Sequence, residues 1–269
     1  MRREPQYTWM FLAGVLVAIG CGSRPQDAAA TSQEQGGAKP VQLAQATEGS
    51  GAAPAPAGSG TIRGTVKFSG APPAASHIKM DADPQCQLQH KDPVSKQDMV
   101  VNPNGTLQHV FVYVKSGLEG KTFTPPADAV VLNQHGCMYQ PHVMGIQVGQ
   151  PLEIVNDDAT LHNVNCKPAN SKPFNIAQPV QGMKSKKQFT APEIMVKCAC
   201  NVHPWMAAYV GVLPHPYFSV SGEDGGFSLT GLPAGDYTVE AWHEKFGAQA
   251  KTVHVGDGET ASVDFEFTG

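Results

Sequence analysis

Three side chains that can bind a soft metal ion lie within seven residues of one another. The stretch KCACNVHPWM, from Lys197 to Met206, contains Cys200 and His203 and ends on the methionine. Together they supply a thiolate, an imidazole and a thioether at the spacing Cys-x-x-His-x-x-Met. A mononuclear copper site for electron transfer uses one thiolate, two imidazoles and a weak axial thioether. The stretch therefore predicts such a site, with one imidazole still to be found.

We expect His162 to supply the missing imidazole. The segment IVNDDATLHNVN contains a predicted strand that ends at Asn156, then an Asp-Asp turn, then His162. The preceding segment GIQVGQPLEIVN has the pattern of a hairpin, which would place this turn at one pole of a β-sandwich. The sequence therefore predicts one copper site formed by two loops, with the ligands His162, Cys200, His203 and Met206.

These two segments carry a family resemblance. VGQPLEIVNDDATLHNVN followed by FTAPEIMVKCACNVHPWM resembles a cupredoxin, the blue-copper fold, and the loop CNVHPWM is similar to the short ligand loop of amicyanin. The resemblance covers roughly Val130 to Leu213. It implies a Greek-key β-sandwich with one type 1 copper held by the same four residues. It also implies that Asn163, next to the first histidine, ties the two ligand loops together.

The resemblance also implies a function, outer-sphere transfer of single electrons. We expect His162 on the protected side and His203 near the surface as the electron port. Pro204 and Trp205, with Met206, would form an apolar docking patch around His203. No open coordination position or acid/base pair is evident, so an enzyme is not expected. The alternatives are a periplasmic copper carrier or storage protein, and a non-catalytic binding module with a carbohydrate-binding-like fold.

Two further cysteines near the site leave alternatives open. Cys198 lies two residues before Cys200, and in a strand both would share a face, which would favour a two-copper centre or a carrier. A dinuclear copper A centre needs two cysteines four apart, a spacing that this loop lacks. Otherwise Cys198 is a buried small apolar residue or pairs with Cys166. Because an exported protein permits disulfides, we predict the pair Cys166–Cys198.

The cysteines outside the ligand loops are predicted to form a second disulfide, Cys86–Cys137. Both lie in irregular segments, DPQCQLQH and HGCMYQPH. His135 and His142 flank Cys137 and could indicate a second metal site. Their spacing fits no closed zinc pattern, so surface or packing roles are favoured.

Short segments rich in Val, Ile, Phe, Thr and Tyr, bounded by Gly, Pro, Asn or Asp, predict an all-β protein. We assign a cupredoxin-like domain with an N-terminal β extension to residues 61–213 and a small β-sandwich to 214–269. The segment Ser221–Gly247 resembles the carboxypeptidase regulatory-like (transthyretin-like) module, through Asp-Gly-x-Phe and Leu-Pro-x-Gly-x-Tyr. Its aromatics Phe227 and Tyr237 should fill the core.

The segment GTIRGTVKFSG, Gly60 to Gly70, also looks like the first strand of such a module. In that case the cupredoxin would be inserted within it. The combination of modules resembles bacterial periplasmic proteins labelled methylamine-utilisation-like. Within the C-terminal module, the tripeptide Trp242-His243-Glu244 could be a functional patch, although a core tryptophan with a hydrogen-bonded histidine is favoured.

The N-terminal residues have the pattern of an export signal. A positive start, an apolar run from Trp9 to Ile19 and Gly20-Cys21 predict a leader over 1–21 with lipidation at Cys21. Residues 22–60, rich in Ala, Gly, Ser, Gln and Pro, are predicted to be a disordered tether. We therefore expect an exported protein of the periplasm or a lipoprotein anchored to the outer membrane, which meets a redox partner protein. The net charge of −4 gives no indication of nucleic-acid binding.

Overall fold

The computed structural model describes residues 58–72, 74 and 76–269. The predicted leader, Cys21 and residues 22–57 of the predicted tether lie outside the described residues. The prediction of an all-β fold is confirmed, since the described part has seventeen strands and one four-residue helix. No helix in this part is long and apolar enough to cross a membrane. The strands form two β-sandwiches.

The central sandwich is formed by residues 130–213. One sheet has the strand order β4-β3-β6-β9 and the other β5-β11-β10-β7-β8. The strands are β3 (Val130–His135), β4 (Met138–Gln140), β5 (Val143–Gln147), β6 (Pro151–Asn156), β7 (His162–Cys166), β8 (Phe174–Gln178), β9 (Met183–Gln188), β10 (Glu193–Ala199) and β11 (Ala207–Leu213). The inner faces meet in one apolar core, to which one sheet gives Leu132 and Ile154 and the other Val164 and Val210.

The flanking sandwich is formed by residues that precede the central sandwich in the sequence and by residues that follow it. Its sheets have the orders β13-β1-β16, with β17 also paired to β1, and β12-β2-β14-β15. The strands are β1 (Gly60–Ser69), β2 (Phe111–Ser116), β12 (Phe218–Val220), β13 (Gly226–Leu232), β14 (Gly235–His243), β15 (Gly247–Val255), β16 (Thr260–Ser262) and β17 (Phe265–Thr268). Phe227 and Tyr237 lie in its core, as predicted.

The strand pairing differs from the predicted division at 213/214. β1 pairs with β13 over residues 60–65, and β2 pairs with β14, so the chain N-terminal to the central sandwich completes the C-terminal one. The pairing therefore follows the alternative in which Gly60–Gly70 is the first strand of the C-terminal module. The isolated strand pattern of β1 did not indicate its partner, because the pairing spans more than 160 residues of chain.

A segment between β1 and β2 covers one end of the central sandwich, and we call residues 76–96 the cap. Its ends are joined by hydrogen bonds from Ile78 N to Val94 O (2.8 Å) and from Lys96 N to Ser76 O (2.9 Å). The helix α1 (Pro84–Gln87) lies between them. Asp83 caps this helix by accepting a hydrogen bond from the N–H of Gln85, and the proline that follows suits the first helical position.

Candidate metal centre

The ligand loop is the tight connection between β10 and β11. The N–H of Cys200 donates to the carbonyl of Met206 (3.1 Å), and the N–H of Met206 donates to the carbonyl of His203 (3.0 Å). The N–H of His203 also donates to the Sγ atom of Cys200 (3.4 Å). These bonds turn the thiol and the imidazole of one short loop towards the same point.

His162 begins β7 and reaches the same point from the other loop. Its Nδ1 atom lies 2.9 Å from Nδ1 of His203, and Cys200 Sγ lies 3.9 Å from that His203 nitrogen. The three donor atoms all lie within 4.8 Å of one another, and all three residues are buried. The structure therefore brings together three of the four predicted ligands.

Each imidazole holds a carboxylate at its other nitrogen. His162 Nε2 lies 2.8 Å from Asp158 Oδ2, and His203 Nε2 lies 2.9 Å from Asp83 Oδ2. Burial raises the pKa of both carboxyl groups, but hydrogen bonds together lower it below the ordinary value, chiefly those from His162 to Asp158 and from His203 to Asp83. An ionised carboxylate only accepts hydrogen bonds, so Nε2 of each ring carries the hydrogen.

This hydrogen assignment makes the centre a cation site. A neutral imidazole with hydrogen on Nε2 has its lone pair on Nδ1, so two neutral rings would point lone pairs at each other across 2.9 Å. The nearby thiol of Cys200 adds a third electron-rich donor. Such a cluster needs a cation among its donors, either a proton or a metal ion. Two imidazoles and one thiolate are the equatorial donor set of a type 1 copper site.

The proton balance of Cys200 and His162 fits metal binding. Burial raises the pKa of Cys200, but hydrogen bonds from His162 and from nearby backbone groups lower it to about 6. Burial lowers the pKa of His162, but its bonds to Asp158 and Cys200 raise it to about 9. Both shifts favour a proton on His162 over a proton on Cys200 in the metal-free protein. A metal ion would replace the proton on His162.

The hairpin between β3 and β4 supports Asp158. Gly136 and Cys137 form its two-residue turn, and both have positive φ, 63° and 53°, as a type I′ turn requires. Their N–H groups donate to Asp158 Oδ1 (2.8 Å) and Oδ2 (2.7 Å). The carboxylate that orients His162 is thus fixed by backbone groups of a neighbouring element.

Asn163 links the two ligand loops. Its Oδ1 accepts a hydrogen bond from the N–H of Asn201 (2.7 Å) and lies 3.4 Å from Cys200 Sγ. Its backbone carbonyl accepts a hydrogen bond from the buried hydroxyl of Tyr139 (2.5 Å). Met206 is fully buried in the apolar core of the central sandwich. Its role as axial ligand stays a prediction.

The role of His203 as an electron port near the surface stays a prediction, but the ring itself is covered. His203 is 2% exposed, because Asp83 and the disulfide sulfur of Cys86 cover its outer edge, the latter at 3.5 Å. The three residues predicted to form an apolar patch around His203 do not all reach the surface. Pro204 is exposed, Trp205 is half-buried with its indole N–H donated to the carbonyl of Cys137 (2.9 Å), and Met206 is buried.

Both predicted disulfides are confirmed. Cys86 bonds to Cys137, and Cys166 bonds to Cys198, which lies directly opposite it in the β7–β10 pair. Cys200 is the one free cysteine of the described residues. Cys198 is therefore not available as a thiolate ligand.

The other histidines singled out from the sequence lie at the surface or pack against neighbouring residues. His142 lies 3.0 Å from the carbonyl of Ala207 and 2.5 Å from Glu244, and His135 is exposed. His243 is buried beside Phe246. The candidate metal groups of the described residues include none of these histidines.

Asp83, Asp158 and Tyr139 are site residues that the sequence reasoning missed. Asp158 belongs to the Asp-Asp pair, whose position before His162 was interpreted only as a turn. Asp83 stands before a proline, a pattern that predicts a helix cap, but nothing local indicates that it touches a histidine 120 residues away.

Comparisons with known proteins concern two parts of the chain. The family described as the carboxypeptidase regulatory-like domain matches residues 207–268, which confirms that predicted module. No curated protein matches the chain. The likeness to methylamine-utilisation proteins stays a prediction.

Three solved structures illustrate the similarity of the chain to copper proteins. A novel purple cupredoxin from Nitrosopumilus maritimus is 25% identical over 31% of this chain and 97% of its own, with a TM-score of 0.27. A mutant of amicyanin with Cu(I) is 21% identical over 38% and 97%, with a TM-score of 0.28. A Cu-containing nitrite reductase (NirK) from Thermus scotoductus SA-01 is 23% identical over 36%, with a TM-score of 0.29. The chain spans 24% of that reductase.

Proposed function

We propose that this protein binds one copper ion through His162, Cys200 and His203, with Met206 as axial ligand, and carries single electrons. The observation that carries the proposal is the pair of imidazole Nδ1 atoms facing each other across 2.9 Å beside a buried free thiol. Bound copper would supply a reversible one-electron change. The thioether favours copper over zinc, because zinc sites take thiolate, imidazole and carboxylate ligands.

The chain's own residues hold this donor set rigid. Asp158 and Asp83 fix the two rings from behind, and Asn163 ties the loops together. The disulfide Cys166–Cys198 joins the strands that lead from and to the ligand loops. A rigid donor set favours electron transfer, because the ligands need not rearrange when the charge changes. The buried donors favour an electron carrier over an enzyme, since a substrate has no solvent-facing approach to them within the described residues.

Electrons would enter or leave through the ligand loop beside the covered ring. Val202 is 47% exposed and Pro204 is exposed, so the residues on either side of His203 reach the surface. A redox partner protein that docks on this loop would come close to the site without contacting the imidazole.

The place of action is part of the proposal. The leader-like residues 1–21 support export, and Cys21 supports a lipid anchor on the bacterial cell envelope. Two disulfides support an oxidising compartment such as the periplasm. A copper carrier that uses Cys198 as a donor is disfavoured, because its sulfur is bonded to Cys166.

Titration of the exported protein with Cu(II), followed by voltammetry, tests the proposal. We expect one ion per chain, an intense visible thiolate-to-copper band and a reversible one-electron wave. Tight copper binding with no reversible wave would support a copper carrier instead. Failure to bind copper would refute both functions and leave a structural or binding module.

A further inference from the structure

The cap contributes one carboxylate to the candidate centre, that of Asp83. Its Oδ1 atom accepts the N–H of Gln85 (2.8 Å), and its Oδ2 atom accepts hydrogen bonds from Thr160 Oγ1 (3.1 Å) and His203 Nε2 (2.9 Å). Helix α1, the loop before His162 and the ligand loop therefore all hold this one side chain. Because three partners hold it, the carboxylate has little rotational freedom.

Covalent and polar bonds keep the cap in place over His203. Cys86, three residues after Asp83, is bonded to Cys137 in the β3–β4 turn. His90 Nε2 lies 2.7 Å from the carbonyl of Gly136 in the same turn. The disulfide restrains the part of the cap that carries Asp83. Asp83 is thus held against His203, although it comes from a segment outside the central sandwich.

The centre consequently has a carboxylate behind each imidazole. Asp158 is fully buried and the side chain of Asp83 is 21% exposed, so both charges act with less screening by water than surface charges do. A carboxylate on the remote nitrogen fixes the tautomer of a ligating histidine and raises its basicity. Two such charges beside one ion favour its higher oxidation state.

We propose that Asp83 is a positioning residue of the copper centre, which holds His203 with its hydrogen on Nε2 and biases bound copper towards Cu(II). This inference rests on the proposed function for its effect on copper. Its effect on the ring of His203 does not depend on copper.

The tautomer of His203 can be measured in the metal-free wild-type protein by long-range ¹H–¹⁵N NMR. We expect the hydrogen of His203 on Nε2, because an ionised carboxylate faces that nitrogen. A predominant Nδ1–H tautomer would overturn the proposal. The measurement needs neither copper nor a variant, so it decides the point even if the chain fails to bind copper.

The variant Asp83→Asn tests the effect on the potential, with Asp81→Asn as its matched control. Asparagine caps a helix as well as aspartate does, so the cap should still fold. Asp81 is exposed and lies in the same cap, so its variant removes an equal charge that does not contact His203. We expect Asp83→Asn to lower the affinity for Cu(II) relative to Cu(I) about tenfold, which raises the potential by about 59 mV for one electron.

The two variants separate the outcomes. A smaller shift in Asp81→Asn than in Asp83→Asn supports the positioning role, and equal shifts overturn it. A wild type that binds copper with the visible band, together with an unshifted Asp83→Asn, refutes this inference but not the proposed function. A wild type without that band refutes the proposed function itself.

Discussion

At the scale of single residues, the close approach of two imidazoles is the feature that requires a cation. The Nε2 atoms of His162 and His203 are held by Asp158 and Asp83, so their Nδ1 atoms face each other and need a proton or a metal ion between them. The thiolate of Cys200 adds negative charge to the same space. The ligands and the carboxylates that contact their Nε2 atoms thus act together, and each can be changed separately.

Met206→Leu should keep the metal and the intense colour, because the thiolate and both imidazoles remain. The potential should rise, since loss of a weak electron donor destabilises the oxidised ion more than the reduced one. Voltammetry of the loaded variant measures this. Met144→Leu is the matched control, because Met144 is buried in the same core but lies in β5, outside the ligand loop. Equal potentials in the two variants would mean that Met206 is not a ligand.

His243 should make the protein less stable at acidic pH. Burial lowers the pKa of His243 to about 4; the charge of Glu244 opposes this shift, and that of Lys245 adds to it. In the unfolded chain His243 binds a proton near the ordinary pKa of about 6.5, whereas in the folded protein it does so only near pH 4. The contribution of neutral His243 to the free energy of unfolding is therefore fully present above about pH 6.5. It is lost as the pH falls towards 4, and the loss is on the order of 3 kcal/mol.

His243→Phe should reduce this acid sensitivity, since the ring already packs on Phe246. Urea unfolding at pH 7 and pH 4.5 would measure the difference. His254→Phe, at a side chain that is 68% exposed, is the control. The same loss of stability between the two pH values in His243→Phe and wild type would contradict the account. Some acid sensitivity should persist, because burial also lowers the pKa of His215 to about 4.

At the scale of elements, the cap and the β3–β4 hairpin form the outer support of the centre. The turn residues Gly136 and Cys137 bind Asp158 through their N–H groups, and Cys137 holds the cap through Cys86. One hairpin turn therefore supports both carboxylates, Asp158 directly and Asp83 through the cap. Gly136 in this turn has a positive φ, and a side chain added at this position would collide with the ring of His90.

The double variant Cys86→Ala with Cys137→Ala removes the cap disulfide. We expect it to destabilise the protein by about 4 kcal/mol, because the disulfide closes a loop of roughly fifty residues and so restricts the unfolded chain. Urea unfolding under non-reducing conditions measures the loss. Mapping of unreduced wild-type peptides should recover the two peptides joined. Free thiols at both positions, or an unchanged urea midpoint, would contradict the prediction.

The elements also show what the sequence could and could not predict. Alternating apolar residues predicted the strands, and the donor spacing predicted which loops meet, because both signals are local. The cover over His203 was not predicted, since Asp83 and Cys86 reach it from 117 or more residues away. The family resemblance implied that His203 lies near the surface and gave no indication of this cover.

At the scale of the whole molecule, the two sandwiches pack against each other through a small aromatic cluster. Phe111 of β2 and Phe218 of β12 lie against Gly145 and Gly211, which pair side by side in β5 and β11. A side chain on either glycine would overlap these rings. The same contact could not be predicted from the sequence, because β2 precedes the central sandwich in the chain and β12 follows it.

Gly211→Ala should therefore destabilise the protein by about 1–3 kcal/mol through overpacking against Phe111. Urea unfolding measures this, and Gly235→Ala is the control. Gly235 begins a strand, and an added side chain there would make only ordinary contacts with Tyr237. If both variants lose the same stability, the glycine pair is not the reason that the sandwiches can approach so closely.

The central claim is that Cys200 is the copper thiolate, and the visible absorption of copper-loaded variants tests it most directly. Cys200→Ser should abolish the intense band, because no other free cysteine exists in the described part of the chain. Cys166→Ser with Cys198→Ser should keep the band with some loss of stability, since that pair is a disulfide in the structure. Retention of the band in Cys200→Ser, or its loss in the disulfide variant, would contradict the account.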